Sequence, residues 1–251
     1  MHVSALWRHP VKSMQGQSVA TAQIDPDGLR GDRRWGVRDE VTGKVLTGRR
    51  EPRLLGASAV LDADGGPAIT LPDGTPVCGQ NETSDQALSA WLQQQVTLVG
   101  AADAPGGRAE FFADATDDSS EAIEWTMPPG RFVDAMPILL LTSASLRAGA
   151  ELYADGTWDV RRFRPNIFVD VDDEGWVEDA WCGRVVRIGD VELLPQQGCV
   201  RCTMVTRHQP GLARDLDIYK TVARHHGGTM GVWSTVQTPG TIRVGDAVEV
   251  V

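Results

Sequence analysis

Two cysteines separated by two residues stand late in the chain, where residues 198–202 read Gly-Cys-Val-Arg-Cys at the end of a predicted strand. A cysteine thiolate is a soft ligand for a metal, and an arginine can hold an anionic cofactor through paired hydrogen bonds. Cys199 and Cys202 are therefore the first candidates for chemistry. Arg201, adjacent to both in sequence, is a source of positive charge that would favour the thiolate form.

A Cys-x-x-Cys pair also occurs in zinc sites and in thioredoxin-like redox sites, and inside a strand it can be two small apolar side chains. Zinc would need two further ligands, and Cys78, Cys182 and His208 do not form a second pair. A redox pair would sit at a helix N-terminus, whereas this pair leads into a strand that we predict at 202–206. From the residues alone, the alternative that the two cysteines are only small apolar side chains packed in a strand stays open.

Composition and charge narrow the class of protein. The 251 residues are 41% hydrophobic and 23% charged, with 27 glycines and 14 prolines, which is typical of a folded, loop-rich globular protein. A formal net charge of −10 argues against a nucleic-acid-binding face. Four scattered cysteines are too few for a small disulfide framework, and no apolar run has the length of a signal or a membrane span. We expect a cytoplasmic protein.

The elements that must position these cysteines are mostly short strands separated by glycine, proline and aspartate turns. In the first part of the chain we predict strands at 2–8, 17–24, 34–41, 44–47, 56–62, 67–71 and 75–78. A helix follows at 83–95, where Thr83 and Gln86 form a capping box. Many closely spaced short strands favour a small barrel or sandwich.

The second half of the chain is also predicted to consist mostly of short strands. We predict strands at 138–141, 166–171, 184–188, 191–195, 202–206, 230–236 and 242–250, and helices at 143–152 and 212–225. The fold class is therefore mostly β with a few helices, arranged as two β-barrel-like lobes at 1–100 and 131–251. The polar, acidic stretch at 101–130 is predicted as the connection between them. Its acidic run at 113–124 is interpreted as a solvated loop, with a lid over the site as the alternative.

Six segments, in order, resemble the MOSC proteins that carry an N-terminal β-barrel half. The matching segments are 10–13 (Pro-Val-Lys-Ser), 28–35 (Gly-Leu-Arg-Gly-Asp-Arg-Arg-Trp), 47–54 (Thr-Gly-Arg-Arg-Glu-Pro-Arg-Leu), 163–167 (Phe-Arg-Pro-Asn-Ile), 199–202 (Cys-Val-Arg-Cys) and 239–246 (Pro-Gly-Thr-Ile-Arg-Val-Gly-Asp). The resemblance covers nearly the whole chain. The best-described proteins of this architecture are the mitochondrial amidoxime-reducing component and its bacterial YcbX-like relatives.

The resemblance implies a molybdenum cofactor, in which a pterin dithiolene binds the metal and one protein cysteine completes its ligands. By position in the motif that ligand is Cys202, the catalytic residue and metal ligand, with Cys199 as a neighbour. The family's cofactor-contacting positions match Lys12, Arg33 and Arg164, with Ser13, Thr142, Ser143, Asn166, Val200 and Arg201 as further contacts. Arg49, Arg50 and Arg53 could serve the cofactor, an anionic substrate or only solubility.

The function implied by the resemblance is reduction of an N-oxygenated small molecule. YcbX-like proteins carry a C-terminal ferredoxin domain, whereas this chain ends at Val251, so we expect electrons from a separate flavoprotein, ferredoxin or cytochrome. Val205 and His208 depart from the threonine and aspartate that usually follow the ligand cysteine, which bears on the substrate. Two alternatives stay open: a persulfide carrier using Cys202 or Cys199, and a scaffold that binds another anionic ligand. We expect no nucleic-acid or membrane partner.

Overall fold

The computed structural model describes residues 1–103 and 107–251, and strands dominate the described part. Its strands are β1 (His2–Arg8), β2 (Gln17–Val19), β3 (Thr21–Asp25), β4 (Gly28–Leu29), β5 (Trp35–Asp39), β6 (Ser58–Leu61), β7 (Pro67–Thr70), β8 (Pro76–Cys78), β9 (Val96–Gly100), β10 (Arg108–Phe112), β11 (Ala122–Thr126), β12 (Ile138–Thr142), β13 (Ile167–Asp170), β14 (Val186–Ile188), β15 (Val191–Val200), β16 (Thr229–Thr238), β17 (Gly240–Arg243) and β18 (Val248–Val250). The helices are α1 (Glu82–Leu92), α2 (Ser143–Leu152), α3 (Val160–Phe163) and α4 (Leu216–His226). Short 3₁₀ helices span Pro52–Gly56, Val177–Trp181 and Thr203–Thr206.

The largest sheet joins the two ends of the chain. Its eight strands run in the order β18-β14-β15-β16-β12-β13-β1-β2, with β12 and β13 parallel. The N-terminal strand β1 pairs with β13 in the register Leu6 opposite Ile167, and Val3 and Leu6 are fully buried in the same core as Ile138 and Val232. Strand β1 therefore leaves the core of the second lobe and leads the chain directly into residues 10–13.

The smaller lobe is built from the pair β5–β9, the sheet β6-β7-β8 and helix α1, around a core that includes Val11, Met14 and Leu88. Asn81, rather than the predicted Thr83, caps α1, because its side chain accepts a hydrogen bond from the Ser84 N–H at 3.0 Å. The predicted class, mostly β with a few helices, is confirmed. In the described residues the sheets stay open at their edges rather than closing into barrels.

Two local predictions are corrected. Residues 202–206 are not a strand: the chain turns into the 3₁₀ helix Thr203–Thr206, held by a hydrogen bond from the Thr206 hydroxyl to the Thr203 carbonyl at 2.7 Å. Residues 44–47 contribute only a single bridge, between Val45 and Arg38. The turn after Cys202 matters for the site, because it bends the chain away from the sheet just beyond the sulfur.

The stretch predicted as a connection contains a β-hairpin, formed by β10 and β11 with Arg108 opposite Thr126. Its apolar side chains, Phe111, Phe112, Ile123 and Trp125, form two short groups within a strongly acidic sequence. The hydrophobic periodicity of such short groups is too weak to predict a strand. Residues 104–106 of that stretch lie outside the described residues. Among the described helices, none combines the length and the apolar character needed to cross a membrane.

Candidate functional site

A cleft with about 710 Å³ of empty space, open to solvent, lies where the two lobes meet. Eight of the ten predicted site residues line it: Lys12, Ser13, Arg33, Arg164, Asn166, Val200, Arg201 and Cys202. These residues come from segments separated by up to 190 positions in the chain. We call this the cationic cleft, for the charges described below.

Thr142 and Ser143 lie elsewhere, at the start of helix α2, and their contact with a cofactor stays a prediction. Thr142 caps helix α2, and its hydroxyl donates to the buried Glu178 carboxylate at 2.6 Å. The Ser143 hydroxyl donates to the Val171 carbonyl at 3.2 Å. Both hydroxyls are thus engaged in anchoring the start of α2, and neither residue lines the cleft.

The Cys202 sulfur is held by an arginine that the sequence left unassigned. Cys202 has extended backbone immediately before the 3₁₀ helix, and the Arg49 Nε–H donates to its Sγ at 3.1 Å. The remaining Arg49 nitrogens pair with the Asp134 carboxylate. Burial opposes the charge on Arg49, but Asp134 and Cys202 outweigh it and hold the pKa of Arg49 above its ordinary value. Positive charge therefore lies directly against the sulfur.

Arg201 does not have the role that its sequence position predicts. Its guanidinium turns into the protein and donates to the Met230 carbonyl at 2.8 Å and the Phe163 carbonyl at 2.9 Å. Cys199 is buried in strand β15, and burial raises the pKa of its thiol to about 11. Both cysteines line the cleft, but Cys199 is a buried neutral thiol, whereas Cys202 is partly exposed.

Lys12 is the second buried cation near Asp134. Its Nζ donates to the Asp134 carboxylate at 2.7 Å and to the Phe132 carbonyl at 2.9 Å. Burial lowers the pKa of Lys12 to about 8, although Asp134 partly offsets it. Burial favours the neutral acid at Asp134, but Arg49 and Lys12 prevail and lower its pKa. The Asp134 side chain is 36% exposed, so water screens both ion pairs.

The sequence does not mark Asp134 as a residue of the site. It follows a loop with no recognisable motif, and only the folded chain brings it between Lys12 and Arg49. Trp125, from the undetected hairpin, also lies here, with the Arg49 guanidinium carbon 4.9 Å and Lys12 Nζ 5.8 Å from its ring centroid. Both are within the range of cation–π attraction.

Unusual backbone conformations are concentrated in the cleft. Ser13, Arg33 and Arg164 have φ values of 69°, 49° and 54°, and they are three of the four non-glycine residues with positive φ in the described chain. The left-handed conformation costs a non-glycine residue about 1–2 kcal/mol. Strain of this kind persists where the surrounding structure imposes it, and it is found disproportionately at functional sites.

Arg164 carries the clearest mark of a missing partner. Its Nη1 donates to the Met14 carbonyl at 2.8 Å, while its Nη2 is buried and has no hydrogen-bond acceptor among the described residues. Burial, and then the neighbouring Arg33, lower the pKa of Arg164. Arg33 itself pairs with the buried Asp32 and donates to the Arg164 carbonyl at 3.2 Å. An unsatisfied buried guanidinium beside a second arginine is the setting that an anion would complete.

The charges of the cleft differ from those of the protein as a whole. Six cationic side chains line it against the single acid Asp134, in a chain whose net charge is −10; the cations are Lys12, Arg33, Arg49, Arg162, Arg164 and Arg201. Within the described residues, no group of three or more His, Cys, Asp or Glu side chains could hold a metal ion. A metal at Cys202 would therefore need its other ligands from a non-protein group.

The two departures from the family pattern lie in different surroundings. Val205 is buried against Phe163 and Ile218 at the base of the cleft, and His208 is exposed and does not line it. Trp181 is in the core, whereas Trp233 is half-buried and lines the cleft.

Comparison with known proteins divides the chain into two matched regions. Residues 1–116 match the family described as the MOSC N-terminal beta barrel domain, and residues 128–249 match the MOSC domain. The mitochondrial amidoxime-reducing component 1 of Mus musculus is 29% identical over 98% of this chain and 81% of its own length, and that of Homo sapiens is 28% identical over 98% and 82%. The molybdenum cofactor sulfurase of Oryza sativa subsp. japonica is 24% identical over 83% of this chain and 28% of its own length.

Proposed function

Because the chain belongs to the MOSC-domain proteins, with the N-terminal MOSC barrel domain ahead of the MOSC domain, we propose that it is a molybdenum-cofactor enzyme that reduces N-oxygenated small molecules. Relatives named amidoxime-reducing components align along nearly the entire chain, which supports this class of reaction. The observation that carries the proposal is the convergence of Cys202, Lys12, Arg33 and Arg164 on one cleft.

The donor set fits the sulfur side of such a cofactor. Cys202 lines the cleft and would supply one cysteine ligand, while a pterin dithiolene would bring its own sulfurs to the metal. Arg49 holds the Cys202 sulfur at 3.1 Å and is itself fixed by Asp134. This arrangement places positive charge against the sulfur, and a cysteine binds a metal as its thiolate.

The cations that line the cleft fit the phosphate of the pterin. The unpartnered Nη2 of Arg164 is a buried donor that needs an acceptor, and Arg33 and Lys12 add positive charge beside it. Guanidinium groups bind phosphate oxygens in a bidentate manner, and partial burial strengthens each contact. These three residues would hold the phosphate of the cofactor, and Cys202 would hold its metal.

When bound, the cofactor supplies the two-electron oxygen-transfer chemistry that amino-acid side chains lack. For an amidoxime the overall change is R–C(NH₂)=N–OH + 2 e⁻ + 2 H⁺ → R–C(NH₂)=NH + H₂O, in which the N–O bond breaks and the oxygen leaves as water. The protein's own side chains contribute by holding the groups of the site in position. The Asp134 carboxylate fixes the side chains of Arg49 and Lys12.

We propose that the electrons come from a separate electron-transfer protein, an iron–sulfur, flavin or haem carrier. The cleft opens to solvent beside Val200, whose side chain is 63% exposed at the end of β15. This open side of the cleft is where a donor protein would approach Cys202.

The test is metal analysis of protein produced in a host that synthesises the cofactor. Wild type is expected to contain molybdenum in near-stoichiometric amount and to reduce benzamidoxime when a chemically reduced viologen supplies electrons. Cys202→Ala should lose the molybdenum, while Cys199→Ala, which removes a buried neutral thiol, should retain it. Absence of molybdenum from wild type, or equal molybdenum in both variants, defeats the proposal. A transferable sulfur adduct on Cys202 in metal-free protein would instead support a persulfide carrier.

A further inference from the structure

A second cavity, with about 970 Å³ of empty space open to solvent, adjoins the cationic cleft and is lined largely by aromatic rings. The rings belong to Phe111, Phe112, Trp125, Tyr219 and Trp233, and we call this cavity the aromatic groove. It shares Cys202 and five other lining residues with the cationic cleft. Both cavities therefore meet at the same sulfur, one from a charged side and the other from an apolar side.

The charged residues that border the groove already have partners. Arg49 is paired with Asp134 and hydrogen-bonded to Cys202, and the Arg201 guanidinium donates to two backbone carbonyls. Burial, with smaller contributions from Cys202 and Asp114, raises the pKa of Tyr219, so its phenol stays neutral. The charged groups that could pair with a charged ligand already have partners within the protein. A neutral apolar ligand would instead bind by burying the apolar surface of the groove.

One wall of the groove is the β10–β11 hairpin, and the structure anchors that wall at two points. Phe111 and Trp125 contact each other edge to face with ring centroids 5.6 Å apart, and Arg49 lies 4.9 Å from the Trp125 centroid. At the hairpin turn, Asp118 pairs with Arg207 at 2.6 Å and Arg214 at 3.0 Å, both from the second lobe. The hairpin is therefore held over the site from both ends.

The opposite wall leaves apolar surface uncovered. Val200 is 63% exposed beside Cys202, and Trp233 on the neighbouring strand β16 is half-buried. Exposed apolar groups grouped around a reactive side chain, rather than scattered singly, are typical of a ligand-binding surface.

We propose that the aromatic groove binds the planar aromatic body of a neutral N-hydroxylated substrate and presents its N–O group at Cys202. The inference rests on the proposed function and adds its substrate class: aryl amidoximes and related aryl N-hydroxy compounds are favoured over small aliphatic ones. Two electrons from the donor protein and two protons break the N–O bond, the oxygen leaves as water and the amidine remains in the groove until it dissociates.

The experiment compares benzamidoxime with acetamidoxime, which carry the same reacting group on an aromatic and on a methyl body. Wild type should show a kcat/KM for benzamidoxime at least tenfold above that for acetamidoxime. Trp125→Ala should lower the ratio of the benzamidoxime kcat/KM to the acetamidoxime kcat/KM by about tenfold, the fold-change expected for losing a large aromatic contact. Ile123→Ala is the matched control, because Ile123 lies on the same strand and does not line the groove.

A second variant and a second readout separate binding from hairpin integrity. Tyr219→Ala alters the groove from helix α4, outside the hairpin, and should show the same selective loss. Benzamidoxime binding to oxidised, molybdenum-loaded protein without any electron donor, measured calorimetrically, should weaken in both variants and not in Ile123→Ala.

The outcomes distinguish the two proposals. The groove inference fails, while the proposed function stands, if the loaded enzyme reduces both amidoximes with equal kcat/KM. It also fails if Trp125→Ala and Tyr219→Ala change the kcat/KM values for both amidoximes by the same factor. If the protein retains no molybdenum, or reduces neither oxime, the proposed function fails and the groove inference falls with it.

Discussion

Arg49 Nε donates to Cys202 Sγ across 3.1 Å, and this hydrogen bond joins residues 153 positions apart and the two lobes of the protein. It sets a buried positive charge against the Cys202 sulfur, which lines the cationic cleft. The adjacent residue Arg201, which sequence proximity favours for this task, is engaged with backbone carbonyls instead.

The first prediction concerns that bond. Arg49→Gln removes the charge beside Cys202, and a charge-assisted hydrogen bond contributes about 1.5–3 kcal/mol, so we expect iodoacetamide to alkylate Cys202 about tenfold more slowly at pH 7 in cofactor-free protein. Molybdenum content should also fall. Arg50→Gln is the control, because Arg50 is exposed and lies against Phe112. An unchanged alkylation rate in Arg49→Gln would show that the bond does not activate the sulfur.

The second prediction is a pH dependence that arises from Lys12. Since burial lowers the pKa of Lys12 to about 8, the side chain is charged at pH 7 and neutral at pH 9.5. Sulfate, which stays a dianion over this range, should raise the melting temperature of cofactor-free protein more at pH 7 than at pH 9.5, relative to chloride at equal ionic strength.

The matched variants for that measurement are two lysines in different surroundings. Lys12→Met should abolish the pH step in the sulfate effect, whereas Lys44→Met, which removes a surface lysine paired with Glu110, should keep it. A pH step that survives Lys12→Met would assign the titration to another group.

The third prediction separates strain from function at Arg164. Glycine adopts positive φ freely, so Gln93→Gly, at the left-handed end of α1, should stabilise the protein by about 1 kcal/mol without changing molybdenum content. Arg164→Gly relieves the same strain and also removes a buried charge, but it loses the hydrogen bond to the Met14 carbonyl. Its free energy of unfolding should therefore fall by no more than the contribution of one hydrogen bond. Its molybdenum content, however, should fall at least tenfold. Retained molybdenum would contradict the assignment of Arg164 to the cofactor.

The fourth prediction addresses the hairpin. Asp118→Asn removes the charge that pairs with Arg207 and Arg214, so residues 108–126 should exchange amide hydrogens faster and KM for benzamidoxime should rise severalfold. Asp117→Asn is the control, since Asp117 accepts only local hydrogen bonds from Ser119 and is exposed. Equal exchange rates in the two variants would show that the pair does not anchor the hairpin.

The fifth prediction concerns backbone packing beneath Arg201. Gly231 in β16 has φ +74°, and a Cβ there would lie 2.6 Å from the Leu140 carbonyl oxygen. Gly231→Ala should therefore cost several kcal/mol in denaturant unfolding, while Gly65→Ala, with φ +82° and open space around it, should cost only the conformational strain of about 1–2 kcal/mol. Similar losses at both positions would indicate that the close approach at Gly231 relaxes easily.

Much of the strand content followed from short-range pattern, because turn residues and alternating apolar positions are local signals. Strand β1 and helix α2 were predicted within a residue of their ends. The β10–β11 hairpin and the 3₁₀ helix after Cys202 were not, since the first is held by pairing and by Asp118, and the second by a hydroxyl-to-carbonyl bond at Thr206. Such contacts leave little trace in residue periodicity.

The sequence by itself determined the residue types of the site: a Cys-x-x-Cys pair, cations at Lys12, Arg33 and Arg164, and the family motifs that connect them. Only the tertiary structure decided which of them act together. It turned Arg201 inward, brought Arg49 and Asp134 to the sulfur and removed Thr142 and Ser143 from the cleft. The physical reason is that a guanidinium or hydroxyl bonds to whichever acceptor the folded backbone places within reach, and that placement depends on strand pairing between distant parts of the chain.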